Sequence, residues 1–390
     1  MRYPFFSFSY NKPSINSNAR IGIINTPHGA FKTPNFMFCG TKGNIKSISI
    51  NEAKQTNTQI ILSNTYHLMV QPGSKIISEI GGIQKFIGWH GPMFTDSGGF
   101  QIFSFGYGSV AEEIKKKKHV MLKTLLNISE EGVILKSYKN GKEYLLSPEQ
   151  SIKIQEKLEA DLIVTLDECT PYHMKKNYTY FAMCRSHRWA MRSLNTFNKI
   201  LCKKQALYGV IQGGIYKNLR KQSSNFVNKN NFFGHAIGGS LGANKKQMYN
   251  TISLTIQNLY VNRPIHLLGV GRIKNIFSCI KMGVDTFDCV QPTRLARHGR
   301  ALVKKQEKEY INLFNTCYKE DNQPIEYQCP CTSCNNYTRA YLHHLLKNKE
   351  IIVSTIITIH NITFINLLLN DIRKGIKHNI LKKIEKKWKQ

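Results

Sequence analysis

The sequence predicts an α/β protein: a (β/α)8 TIM barrel followed by a small C-terminal subdomain built around cysteines. Short apolar runs alternate with amphipathic stretches over most of the 390 residues. Polar residues stand where several of those runs end, and three cysteines fall within the six residues Cys329 to Cys334 after the alternation stops.

Residues 58–63, 91–95, 161–167, 206–212, 266–271 and 284–287 read as buried parallel strands, being short and apolar without a polar face. Between them lie helical stretches such as 147–155, where Pro148 follows Ser147 and so takes the first helical position behind a capping hydroxyl. Alternation of this length fits a barrel or a doubly wound sheet. Asp96, Asp167, Gln212 and Asp288 decide for the barrel, because side chains collected from the carboxyl ends of several strands are what a barrel's catalytic face requires. No complete Gly-x-Gly-x-x-Gly opens an early βαβ unit, which disfavours a dinucleotide domain. The expected division is a barrel core over 1–309 with an insertion near 107–145, a metal subdomain over 310–362 and a basic C-terminal helix over 363–390 that packs on the core. Within the insertion, the turn residues 139–142 (Lys-Asn-Gly-Lys) mark a hairpin.

Cys329, Cys331 and Cys334 supply three thiolates, and a nearby histidine completes the ligand set of a closed tetrahedral zinc site. His343, His344 and His360 are the candidates for the fourth ligand. Four protein ligands leave no open position for water, so the zinc is structural rather than catalytic. The remaining cysteines are scattered singly, as in a reducing compartment, so the expected location is cytoplasmic. No run of about 18 uninterrupted apolar residues suggests a membrane span, and the N-terminus has no secretory leader pattern.

Lys and Arg number 55 against 24 Asp and Glu, a net charge of +31, which is the footprint of a polyanionic partner such as nucleic acid. Compositional bias toward Lys, Asn and Ile offers a second origin for that charge, and runs such as Lys115 to Lys118 read as solvated surface.

Candidate chemistry concentrates in four segments. Asp96 is followed by Ser97, Gly98, Gly99 and Phe100: a carboxylate, small residues that admit a planar ligand, and a ring to stack on it. Asp167 adds a carboxylate that can accept the N–H groups of a guanine-like base, Gln212 an amide donor, and Gly239 a backbone without a Cβ. Asp288 stands before Arg294 and Arg297, which suit a phosphate backbone.

Taken together and in order, these segments resemble the tRNA-guanine transglycosylase (queuine tRNA-ribosyltransferase) family over nearly the whole chain. The matching motifs also include residues 63–68 (Ser-Asn-Thr-Tyr-His-Leu), Asp167 to Pro171, Gly238-Gly239, Gly269-Val270-Gly271 and Phe287 to Val290. The resemblance implies an irregular (β/α)8 barrel, commonly a homodimer, with one structural zinc per subunit held by Cys329, Cys331, Cys334 and His360. It implies exchange of guanine at the wobble position of tRNA (Asp, Asn, His and Tyr tRNAs) for a free 7-deazaguanine base, preQ1 or queuine, in queuosine biosynthesis. Asp288 is then the nucleophile and Asp96 the acid/base. Ser97, Gly98, Gly99, Phe100, Asp167, Gln212 and Gly239 bind the base. RNA lies against Gly269, Val270, Gly271, Arg272, Ile273, Lys274 and Asn275, and against Thr293, Arg294, Leu295, Ala296 and Arg297.

The chain departs from the common bacterial pattern at residues 240–244, where Ser-Leu-Gly-Ala-Asn replaces Leu-Ala-Val-Gly-Glu, which predicts a roomier and less acidic pocket. Gln291 stands where the family more often has an apolar residue. A non-catalytic subunit of a heterodimeric transglycosylase is the rival reading, opposed by the intact pair Asp96 and Asp288. The archaeal-type enzyme would need further C-terminal domains, and a zinc deaminase would need a His-x-Glu beside the cysteines.

Overall fold

The computed structural model describes residues 3–11, 17–101, 104, 125–137, 139–200, 204–304 and 307–389. Eight parallel strands close into a barrel in chain order: Asn35–Cys39, Ile61–Ser63, Met93–Thr95, Leu162–Val164, Ala206–Ile211, Gly234–Ile237, Ile265–Leu267 and Thr286–Cys289, the last pairing with the first. Each strand divides its side chains between two cores, as the two-residue period of a strand demands. Met37, Cys39, Leu62, Phe94, Leu162, Val164, Tyr208, Val210 and Ala236 fill the barrel interior. Phe36, Phe38, Ile61, Met93, Ile163, Leu207, Ile237, Leu267 and Phe287 face the surrounding helices.

The N-terminal mouth is plugged by a three-stranded antiparallel sheet (Ser7–Asn11, Ile21–Thr26, Gly29–Thr33), whose Ile24 and Phe31, with Phe6 just ahead of the first strand, join the interior core. A buried ion pair, Arg20 with Asp285, fastens this plug below the strand that carries Asp288. Functional groups are therefore confined to the opposite, carboxyl-terminal mouth.

Local rules account for the helices. Ser147 caps Pro148–Leu158, its hydroxyl accepting from the backbone N–H of Gln150. Ser49 and Glu52 form a reciprocal capping box on Ile50–Gln55. The turn at residues 139–142 joins Val133–Lys136 to Glu143–Leu146 within a second antiparallel sheet begun by Leu125–Ile128. Lys115 to Lys118 and the rest of the insertion before Leu125 lie outside the described residues.

After the barrel, a two-stranded ribbon (Arg300–Leu302, Tyr310–Asn312) leads to the short helix Thr332–Asn336, then Arg339–Lys347 and the long helix Ile352–Lys377. That last helix is apolar enough in composition to cross a membrane (mean hydropathy 1.8), yet two thirds of that window is buried against the protein. It packs on the barrel through Ile362, Ile365, Leu368, Leu369 and Ile372, and on the cysteine subdomain through Val353, Ile356 and Ile357. The division expected at 362 falls inside this one helix. Leu381–Lys389 folds back on it, with Trp388 against Phe364.

Strands 35–39 and 234–237 are additions to the sequence-based expectation: the first is an apolar run, Phe36 to Cys39, with ordinary strand propensity, and the second begins with Gly and His, which weaken the signal.

Candidate active site and metal centre

Asp96 follows the third barrel strand, and its carboxylate is held on several sides. Oδ1 accepts from the backbone N–H of Thr65 (2.9 Å) and of Gly98 (3.2 Å), and Oδ2 accepts from the amide of Asn64. Burial pushes its carboxyl up from 3.8 to about 7; the charge of Asp288 adds to the rise, and the three hydrogen bonds oppose it. Asn64 is positioned by its own task, since its Oδ1 caps helix Thr65–Val70 through the N–H of His67. Its Nδ2 also reaches Gln101 Oε1 at 3.0 Å.

Asp288 lies in the eighth strand, across the mouth. Its Oδ1 accepts from the N–H of Gly269 at 3.0 Å and sits 3.2 Å from His266 Nε2, while its Oδ2 is 4.0 Å from the Cys39 thiol. Burial holds the Cys39 thiol well above its ordinary range, so it faces the carboxylate as a neutral, weak donor.

Asp167, Gln212 and Gly239 follow the fourth, fifth and sixth strands, and so stand around the mouth between the strands that carry Asp96 and Asp288. Asp167 accepts from Gln212 Nε2 and from Ser97 Oγ (3.5 Å), and burial raises its carboxyl to about 6. Gly99 is obligatory here, because a Cβ would stand 2.5 Å from Asp167 Oδ1. Gly239 is in the left-handed region (φ +88°), and a Cβ there would lie 2.6 Å from Gln212 Oε1. Arg220, fully buried and lowered to about 10 by that burial, binds the carbonyls of Ile211, Gly214 and Gly238 and so ties the loops bearing Gln212 and Gly239 together. Gln212 Oε1 and Arg220 Nη2 are buried without a hydrogen-bond partner among the described residues, which leaves both able to meet a polar ligand. Phe100 is half-exposed at the rim.

At Gly242 a Cβ would stand 2.7 Å from the side chain of Gln247, whose Oε1 accepts from the N–H of Ala243.

The segments expected to meet RNA divide by burial. Val270, Ile273, Thr293, Leu295 and Ala296 are buried and support the loops, whereas Gly269, Arg272, Arg294 and Arg297 are exposed. Gly271, Lys274 and Asn275 are intermediate. Glu309 accepts from the N–H groups of Ile273 and Lys274, both at 3.0 Å, and so caps helix Ile273–Met282 with a negative charge at its N-terminus.

In the C-terminal subdomain, ligand atoms of Cys329, Cys331, Cys334 and His360 all lie within 4.8 Å of one another. His360 Nδ1 is 3.7 Å from Cys331 Sγ and 3.3 Å from Cys334 Sγ, spacings that suit one tetrahedral ion. Its Nε2 donates to the carbonyl of Leu302 at 2.7 Å, which turns the Nδ1 lone pair toward the sulfurs. His343 instead meets the carbonyl of Leu313, and His344 meets Asn348, so neither histidine near in sequence joins the cluster. The four side chains can hold a metal ion, and they join the ribbon, the short helix and the long helix.

Asn64, Thr65, Arg220, His266 and Glu309 escaped assignment from sequence. Asn64 and Thr65 lie inside the motif at 63–68, whose residue types do not by themselves show that they hold Asp96. His266 and Glu309 act through partners 20 or more residues away, and Arg220 through carbonyls that only the folded loops turn toward it.

The chain matches the family described as queuine tRNA-ribosyltransferase over residues 16–390. It is similar to proteins named queuine tRNA-ribosyltransferase from Roseiflexus sp. (39% identical, covering 96% of each chain) and Protochlamydia amoebophila (40%, 97% of each). A third, from Halothermothrix orenii, is 41% identical over 96% of this chain and 95% of its own.

Proposed function

The chain belongs to the queuine tRNA-ribosyltransferase family, a family of transferases, and we propose that it exchanges guanine at the tRNA wobble position for a free 7-deazaguanine base through a covalent Asp288–ribose ester. The observation that carries this reading is the pairing of two unlike carboxylates across the barrel mouth. Asp96 is poised near neutrality, and Asp288 is anchored through one oxygen.

Asp288 attacks ribose C1′ as the C1′–N bond of guanine breaks, and the departing ring nitrogen takes a proton from Asp96. The incoming base then gives its N–H proton to Asp96 and attacks C1′, and the C1′–O electron pair returns to Asp288. Two inversions retain the β configuration, as in retaining glycosidases. A carboxyl titrating near 7 suits this double duty, since it is substantially present in both forms at working pH. Asp167, the second N–H of the Gln212 amide and the backbone at Gly239 read the base edge, and Phe100 stacks on it. Unstacking a loop nucleotide costs about a few kcal/mol, which single-stranded anticodon RNA permits.

Arg272, Arg294 and Arg297 at the rim hold backbone phosphates, in keeping with the +31 charge. Substrates are tRNAs for Asp, Asn, His and Tyr, and the incoming base is preQ1 or queuine. The metal is zinc, which would fix the C-terminal subdomain without entering the chemistry, and the working form is a cytoplasmic homodimer. Incubation with wobble-guanine tRNA and labelled guanine tests the reading: the wild type exchanges base and forms an adduct that survives denaturation. Asp288→Asn binds tRNA yet does neither, and an adduct persisting in that variant refutes the assignment. Parallel exchange with preQ1 and queuine identifies the base.

A further inference from the structure

His266 is fully buried, two residues into the same mouth, and no sequence motif pointed to it. Strand Ile265–Leu267 pairs with Thr286–Cys289 so that His266 lies opposite Thr286. Ile265 and Leu267 face the outer core, so His266 faces inward, its ring 4.9 Å from that of Phe94. The ring spans two partners on the neighbouring strand: Nδ1 is 2.9 Å from Thr286 Oγ1, and Nε2 is 3.2 Å from Asp288 Oδ1.

Those contacts select a tautomer. The Thr286 hydroxyl can donate to Nδ1, which leaves the ring hydrogen on Nε2, whereas the opposite tautomer would press an Nε2 lone pair against a carboxylate oxygen. The Nε2–H is not squarely aimed at Oδ1, and no other acceptor reaches it among the described residues. A buried donor without a partner is costly, and Asp288 is the acceptor within reach.

Resting on the reading above, we propose that His266 is a positioning residue for the nucleophile: with the Gly269 N–H it holds Asp288 Oδ1 and so selects Oδ2 as the atom that bonds to ribose. The Gly269 N–H donates to Oδ1 and the His266 ring stands 3.2 Å from the same oxygen, where a small rotation of the carboxylate completes a second hydrogen bond, while among the described residues Oδ2 meets the weakly donating Cys39 thiol. In the ester, Oδ1 is the carbonyl oxygen. When the incoming base attacks, the C1′–Oδ2 bond breaks, its electron pair returns to Asp288, and the same donors stabilise the re-formed carboxylate. The contribution of His266 is therefore greater in adduct resolution than in tRNA binding.

Full-length His266→Phe and His266→Gln are compared with wild type for exchange of labelled guanine into tRNA and for adduct on denaturing gels. His266→Phe should lower kcat about ten- to a hundredfold, the scale for one lost hydrogen bond to a charged group. The KM for tRNA should stay within about twofold, because no tRNA contact is removed. The fraction of enzyme trapped as adduct should rise. His266→Gln, whose amide can still donate, should recover most of the rate. If the Phe variant does not fold, His266→Asn, too short to reach Asp288, replaces it with the same expected outcome. An unchanged kcat, or equal losses in the donor-bearing and donor-free variants, overturns the proposal. A wild type that forms no adduct would instead strike the Asp288 reading, which separates the two failures.

Discussion

Replacing Asp96 with asparagine should stabilise the protein progressively as pH rises, because the native fold holds a carboxyl where its charge is poorly solvated. Burial and the neighbouring Asp288 move that carboxyl from 3.8 to about 7. Between those values the folded state keeps a proton that the unfolded chain has released. Stability contributed by this group is therefore complete below about pH 4, falls through the interval and is gone above about pH 7. At roughly 1.4 kcal/mol per pKa unit the loss amounts to about 4 kcal/mol, a large part of the ~5–15 kcal/mol that holds a typical domain together. Asparagine cannot titrate. Its amide keeps an oxygen for the Thr65 and Gly98 N–H groups but sets an NH2 against that of Asn64, a penalty of about 1–3 kcal/mol that does not vary with pH. The test is consequently the slope and not the intercept. Denaturant unfolding of both proteins at intervals from about pH 4 to above pH 7 should show the variant gaining about 3–5 kcal/mol relative to wild type across the range. Asp167 titrates in both proteins and cancels. A difference that stays flat with pH would refute the view that Asp96 stores destabilisation for catalysis.

Two further outcomes follow from geometry. Gly239→Ala should raise the KM for the free base about tenfold or more with tRNA affinity unchanged, since left-handed strain of ~1–2 kcal/mol adds to a 2.6 Å clash with Gln212 Oε1; exchange kinetics at varied base and fixed tRNA report it. Cys331→Ser, or a strong chelator applied to the wild type, should release one metal ion per chain and lower the unfolding midpoint before exchange fails, as read by metal analysis beside circular dichroism. A folded, metal-free, fully active variant would contradict a structural role for the site.

Legibility in the sequence tracked the range of the forces involved. Buried strands at 61–63, 93–95, 162–164 and 206–211 were visible because burial on both faces imposes an unbroken apolar run, and the Pro148 helix because capping is settled within four residues. Strand 234–237 was not, since it opens on Gly and His and tertiary burial rather than propensity makes it a strand, whereas the apolar run Phe36 to Cys39 carried a signal of the same kind. The helix Ile352–Lys377 serves the cysteine core with its amino half and the barrel with its carboxyl half, so a boundary drawn at 362, just after His360, separates its packing partners but not the helix itself. At the site, Asp96, Asp167, Gln212, Gly239 and Asp288 were readable as motifs, yet their environments were not.

The sequence by itself determined the barrel, the cysteine cluster and the carboxylates at the strand ends, because periodicity and residue chemistry are local properties. Only the tertiary structure decided that His360 and not His343 or His344 faces the thiols, that Gln247 occupies the space beside Gly242, and that His266 reaches Asp288. Each of these depends on side chains that approach through closure of the sheet or packing of a distant helix, and on desolvation that exists only once they have met.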